Sequence, residues 1–188
     1  GTGKSSVVKE IQKNLYSKND YCISINMKKN REPISYFHIM EQFTTLINRI
    51  LMENESTIAS WRYRLLNGLG SNVKVVSEYI PGLKLVLGND YEVENINDYR
   101  VFLSFKDICK KLIKIFTENN HIFMIAVDNA QWIDDETLQF INSLLIGSNI
   151  KNLLLVCTWT DSEEDSGEFH SFTEQFNHCG VKIETVVM

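Results

Sequence analysis

Gly1-Thr2-Gly3-Lys4-Ser5-Ser6 opens the chain and decides how the rest is read. It has the form of the second half of a phosphate-binding loop, G-x-x-x-x-G-K-[ST]. The first glycine of that pattern, and the strand that leads into it, would lie upstream of Gly1. The expectation is that the chain starts inside the motif and belongs to a larger protein. Glycines let backbone N–H groups converge on phosphate oxygens that a Cβ would keep away. Lys4 would set a point charge near the β- and γ-phosphates, and the Ser5 hydroxyl would ligate Mg²⁺. From Ser6 onward the N–H groups and dipole of a helix would favour the anion. A Gly-rich turn running into a helix is the plainer alternative, so the half motif needs partner signals elsewhere.

Composition narrows the classes. A chain of 188 residues, 44% of them apolar and 11% aromatic, suits one α/β domain with a real core. A net charge of −5 argues against direct nucleic-acid binding, which needs a basic face. Lys28-Lys29-Asn30-Arg31 reads as a solvated loop. No apolar run reaches the ~18 residues of a membrane helix, so no membrane partner is expected. Cys22, Cys109, Cys157 and Cys179 are scattered without a C-x-x-C. They read as reduced, mostly buried thiols of a cytoplasmic protein.

Hydrophobic spacing then sets out the elements. Val7, Val8, Ile11 and Leu15 share a helical face, predicting a helix from Lys4 to about Tyr16. Tyr21–Asn26 alternates as a strand. Helices are expected from Ser35 to about Met52, over Ile58–Leu69, and over Val73–Tyr79 before Pro81. Gly82–Gly88, where Leu83, Leu85 and Leu87 alternate, reads as an apolar loop. Pro33 to Gly88 would form a helical insertion in the single domain. An exposed acidic loop over Asp90–Asp98 and a long helix from Val101 to Asn119 follow. Thr137–Gly147 reads as a helix and Asn152–Thr158 as a buried strand. A helix over Phe169, Phe172 and Phe176 and a last strand, Val181–Met188, complete the chain.

Ile122-Phe123-Met124-Ile125-Ala126-Val127 is an unbroken apolar run ending in Asp128. Such a run suits a parallel strand covered on both faces. A carboxylate at its carboxyl end lies where open α/β sheets bind ligands. This is the form of a Walker B motif, in which Asp128 would hold Mg²⁺, usually through water. An Asp capping the next turn is the alternative; the phosphate loop upstream favours the metal. Asn129 follows where many such ATPases have a second acid to polarise the attacking water, and an amide cannot accept that proton. Asp134 is the nearest candidate replacement, although Asp134 and Asp135 also suit a helix start.

Five segments together carry a resemblance: the opening loop, Trp61-Arg62-Tyr63-Arg64-Leu65-Leu66, Ile80-Pro81-Gly82-Leu83-Lys84-Leu85-Val86-Leu87-Gly88, Asp128-Asn129-Ala130-Gln131-Trp132-Ile133-Asp134, and Leu153 to Asp161. Over nearly its whole length the chain resembles the AAA-type ATPase domain of the STAND group. Such domains sit in large signalling proteins, between serine/threonine-kinase-like domains and sensor histidine kinase domains. The resemblance implies a three-layer P-loop NTPase sheet and an ATP·Mg²⁺ site. Gly1, Thr2, Gly3, Lys4, Ser5 and Ser6 would cradle phosphate, Ser5 and Asp128 would hold the metal, and Thr160 would be a weak γ-phosphate sensor. Relatives tend to carry Arg near Trp159-Thr160-Asp161; its loss, like that of the second acid, weakens hydrolysis more than binding.

A hybrid histidine kinase working in a phosphorelay is the implied parent, with its kinase and sensor domains as partners in the same chain. A STAND transcription regulator, a nucleotide cyclase and a non-binding scaffold are the alternatives. The resemblance also puts the strand ending in Asp128 beside the Asn152–Thr158 strand. A gap would separate that strand from Val181–Val187, where the feeder strand belongs, and an isolated fragment would be unstable.

Overall fold

The computed structural model describes residues 3–29, 36–88, 105–146, 149–160, 173–174, 176 and 182–187. The chain divides into two compact units, Gly1–Ile34 with Asn119–Met188, and Ser35–Glu118.

The first unit is α/β. Helix α1 (Lys4–Ser17) leads to strand β1 (Tyr21–Asn26), and strands β2 (Phe123–Asp128) and β3 (Leu153–Cys157) flank helix α7 (Asp135–Leu145). The sheet order is β1-β2-β3, with both pairs parallel. Tyr21 stands opposite Phe123 and Asn26 opposite Asp128, while Phe123 stands opposite Leu153. The predicted neighbours β2 and β3 are therefore paired. Residues 123–127 are all buried, as an apolar run inside a parallel sheet requires. Asp20 ties the start of the sheet together, its Oδ1 accepting from the Ile122 amide at 2.8 Å. One face of the sheet packs Cys22, Met124 and Ala126 against Leu15, with Val8 and Ile11 of the same helix and Val156 alongside.

The second unit is helical: α2 (Tyr36–Ile50), α3 (Glu55–Leu69), α4 (Val73–Tyr79), α5 (Gly82–Leu87) and α6 (Phe105–Phe116). It extends past Gly88 because α6 brings Ile108, Cys109, Leu112 and Phe116 into the core that Phe43, Leu65 and Leu69 also fill. The Trp61-Arg62-Tyr63-Arg64 segment is structural here. The Trp61 ring lies 4.9 Å from Phe116 and 4.0 Å under the Arg64 guanidinium. Arg64 donates to Glu118 at 2.9 Å and to the Ile115 carbonyl, at the negative end of α6. Arg62 donates to the Val86 carbonyl at 2.9 Å, joining α3 to α5.

Three expectations are corrected. β3, expected as a buried strand, is only partly buried, with Leu154 39% exposed, because it is the outer strand of the described sheet. Gly82–Leu87 is a helix, not a loop. Leu83, Val86 and Leu87 are buried at i, i+3 and i+4, whereas Leu85 is 71% exposed; the alternation of leucines concealed a helical period. Within the expected last strand, residues 182–187 carry no strand structure, and no described strand lies beyond β3. Alternating Ile183, Thr185 and Val187 match a pleat, but a strand forms only against a neighbour that completes its hydrogen bonds. The gap expected between β3 and that strand falls with it. The Asp90–Asp98 loop, Val101 to Ser104 and most of the Phe169–Phe176 helix lie outside the described residues; Thr173, Glu174 and Phe176 are helical.

Candidate functional site

Gly3 adopts φ 86°, ψ −1°, just before α1. In that left-handed conformation its carbonyl receives the Ser6 and Val7 amides at 2.9 and 3.1 Å. A Cβ would strain the position, so the motif glycine is required by the backbone. Lys4 begins the helix and is half-buried. The first turn of α1 holds no acidic side chain, so its N–H groups and dipole keep their positive end. Gly1 and Thr2 lie outside the described residues.

Strand parity brings the carboxylate to this helix. Met124 and Ala126 face α1, and side chains two apart share a face, so Asp128 is on the α1 side of β2. Parallel strands end together, and their carboxyl ends meet the first turn of the helix. Ser5 Oγ donates to Asp128 Oδ2 at 3.1 Å and lies 3.4 Å from Oδ1. The loop helix and the strand-tip carboxylate thus share one end of the sheet.

This donor set suits Mg²⁺. Both groups are hard oxygen ligands, and their 3.1 Å spacing is close to the ~3 Å edge of an octahedron with ~2.1 Å bonds. Among the described residues no three His, Cys, Asp or Glu gather around a common point. Mg²⁺ takes one or two protein ligands and fills the rest with phosphate and water.

Sequence reasoning placed Thr158 only within the polar strand end Thr158 to Asp161, expected beside the phosphates, and gave it no role of its own. It is 7% exposed, and its hydroxyl bonds Asp128 Oδ1 while receiving the Asn129 amide at 3.0 Å. Its backbone joins Val127 and Ala130 at 2.9 and 2.8 Å. The one sequence signal was a hydroxyl one residue beyond the apolar run of β3, whose residues are only partly buried. Asn129 is left-handed at φ 58°, a conformation Asn tolerates. Its side-chain amide points toward Asn26 Oδ1 and the Met27 carbonyl, at 3.4 and 3.5 Å. Asp134 is the N-cap of α7, accepting from the Thr137 amide at 2.8 Å and the Thr137 hydroxyl at 2.7 Å. Both its oxygens therefore serve the helix start, the alternative read from the sequence. Thr160 is exposed, and its amide donates to Gln131 at 3.4 Å. In the helical unit a separate cleft of about 400 Å³ is lined by Tyr63, Arg64, Asn67, Lys111, Lys114 and Glu118. It lacks a glycine-rich loop or strand tip, and Arg64 is already engaged there.

A glycine-led helix, a parallel sheet and a carboxylate at the strand tip define the P-loop NTPase class of α/β folds. Within that class the chain belongs to the AAA ATPase domain family, whose model matches residues 1–156. It is also 30% identical over 153 residues to hybrid signal transduction histidine kinase G of Dictyostelium discoideum. That match covers 79% of this chain and 4% of the relative. No solved structure matches. No helix among the described residues is long and apolar enough to cross a membrane.

Proposed function

We propose that this chain is the ATP·Mg²⁺-binding regulatory module of a hybrid sensor histidine kinase acting in a phosphorelay, with slow or no hydrolysis of its own. The observation that carries it is the 3.1 Å approach of the Ser5 hydroxyl to Asp128 at the open end of α1. The family and the kinase relative support the wider setting. The helical unit interrupts the sheet unit between Ile34 and Asn119 in sequence, which favours reading it as an insertion in one ATPase-type domain.

In this reading the amides from Gly1 to Ser5 donate to phosphate oxygens and Lys4 adds a positive charge, while the Ser6 amide, also expected in the cradle, already bonds the Gly3 carbonyl at 2.9 Å. Mg²⁺, when bound, neutralises phosphate charge; Ser5 and Asp128 would hold it. Thr160 offers at most a hydrogen bond to the terminal phosphate. Asn129 cannot act as a base, and Asp134 spends both oxygens on its cap. Nucleotide binding would then persist where turnover does not, which suits a switch governing phosphoryl chemistry done by other parts of the parent protein.

Titration of labelled ATP against the full chain and its Lys4→Ala variant tests binding. A loss of at least tenfold in affinity for the variant is expected, and equal, negligible binding by both would leave a scaffold. Turnover of Asn129→Asp tests the switch. The variant should outpace the wild type; a wild type that already matches it is a working ATPase.

A further inference from the structure

We propose that Thr158 is a positioning residue for the metal carboxylate, acting through Asp128. The inference rests on the reading of Ser5 and Asp128 as the Mg²⁺ site. It follows from the direction of three hydrogen bonds. The Asn129 backbone N–H can only donate, and it occupies the Thr158 oxygen at 3.0 Å. An ionised carboxylate can only accept. The Thr158 hydroxyl proton must therefore point at Asp128 Oδ1. With Oδ1 held, Oδ2 is the oxygen presented to Ser5, at 3.1 Å.

The anchor of this chain is stiff. Thr158 is 7% exposed and β-branched, so its χ1 is restricted. Its amide and carbonyl are bonded to Val127 and Ala130, so the hydroxyl moves with the strand tips. Asn129, left-handed at φ 58°, aims its N–H at the Thr158 oxygen. Ser5, by contrast, is exposed on the first turn of α1. If Ser5 and Asp128 hold the metal, the Ser5–Asp128 bond would open while the Thr158–Asp128 bond could stand. Thr158 thus keeps the carboxylate in one rotamer before and after the metal arrives. The role differs from that read for Thr160, which concerns phosphate rather than carboxylate.

The test measures ATP affinity of the full chain with Mg²⁺ and with a chelator, and takes the ratio. Thr158→Val keeps the shape and removes the hydroxyl. It should shrink the Mg²⁺-dependent gain about tenfold, the scale of one hydrogen bond to a charged group, and change metal-free affinity less than about twofold. Thr158→Ser should restore the gain. In an Asp128→Asn background, Thr158→Val should add little, since the residue acts through that carboxylate. Should the valine variant not fold, Thr158→Cys, with its weaker donor, carries the same comparison. An undiminished Mg²⁺ gain, an equal loss with and without metal, or full additivity with Asp128→Asn would overturn the proposal. A wild type that binds no ATP under either condition would instead sink the nucleotide pocket, and Thr158's role with it.

Discussion

Ser5 carries the most exposed part of the metal reading, because it forms the direct contact with Asp128. Ser5→Ala leaves the loop backbone and Lys4 in place. The expected result is weakened ATP binding in Mg²⁺ by roughly tenfold and little change in chelator, measured by titration. Cys109 sits at the opposite extreme of reactivity. Burial pushes the Cys109 thiol up to about 12 from an ordinary 9.0, and Cys109 is fully buried. A thiol reagent at pH 8 should therefore spare Cys109 in the folded protein and modify it after denaturation. Below pH 9 the thiol is neutral in both states and imposes no penalty; above it the unfolded thiol ionises first. Stability should thus fall between pH 9 and 12, and Cys109→Ala should flatten that part of a melting-temperature profile.

Helix ends and helix crossings govern the elements. Asp134 caps α7 through the Thr137 amide and hydroxyl. Asp134→Ala should lower stability by about 1 kcal/mol, and Asp134→Asn, also a good cap, should recover most of it. Urea melts of the two variants check this. Gly68 marks where α3 and α6 approach. A Cβ there would meet Ile115 Cδ1 and Cγ1 at 2.5 Å, and Ile115 is itself buried. Gly68→Ala should cost about 1–3 kcal/mol through overpacking, despite alanine's better helix propensity. A stabilised variant would show that Ile115 has room to turn away.

Ligand linkage is the test suited to the whole molecule. If ATP·Mg²⁺ binds only the folded chain, nucleotide at a hundred times its Kd should add about 2.7 kcal/mol of stability. A calorimetric scan should show the shift in the wild type and lose most of it in Lys4→Ala. The effect should register in the sheet unit, where Gly3, Lys4 and Ser5 lie.

Much of the α/β pattern was legible in the sequence because its signals are local. Tyr21–Asn26 alternates, the 122–127 run is continuous, and Gly3-Lys4-Ser5 opens a periodic helix; each is a pattern that a short window contains. The Asp128 carboxylate could be named for the same reason. Where local patterns overlap they misled: Leu83, Leu85 and Leu87 match a period of two, yet burial follows Leu83, Val86 and Leu87. Ile183, Thr185 and Val187 match it too, without a paired neighbour. What only the tertiary structure decided is which groups meet. Parallel pairing and strand parity turn Asp128 toward the first turn of α1 and set Thr158 between it and Asn129. A hydrogen bond joining residues 30 or 123 positions apart depends on register, and register belongs to the pair of strands rather than to either one.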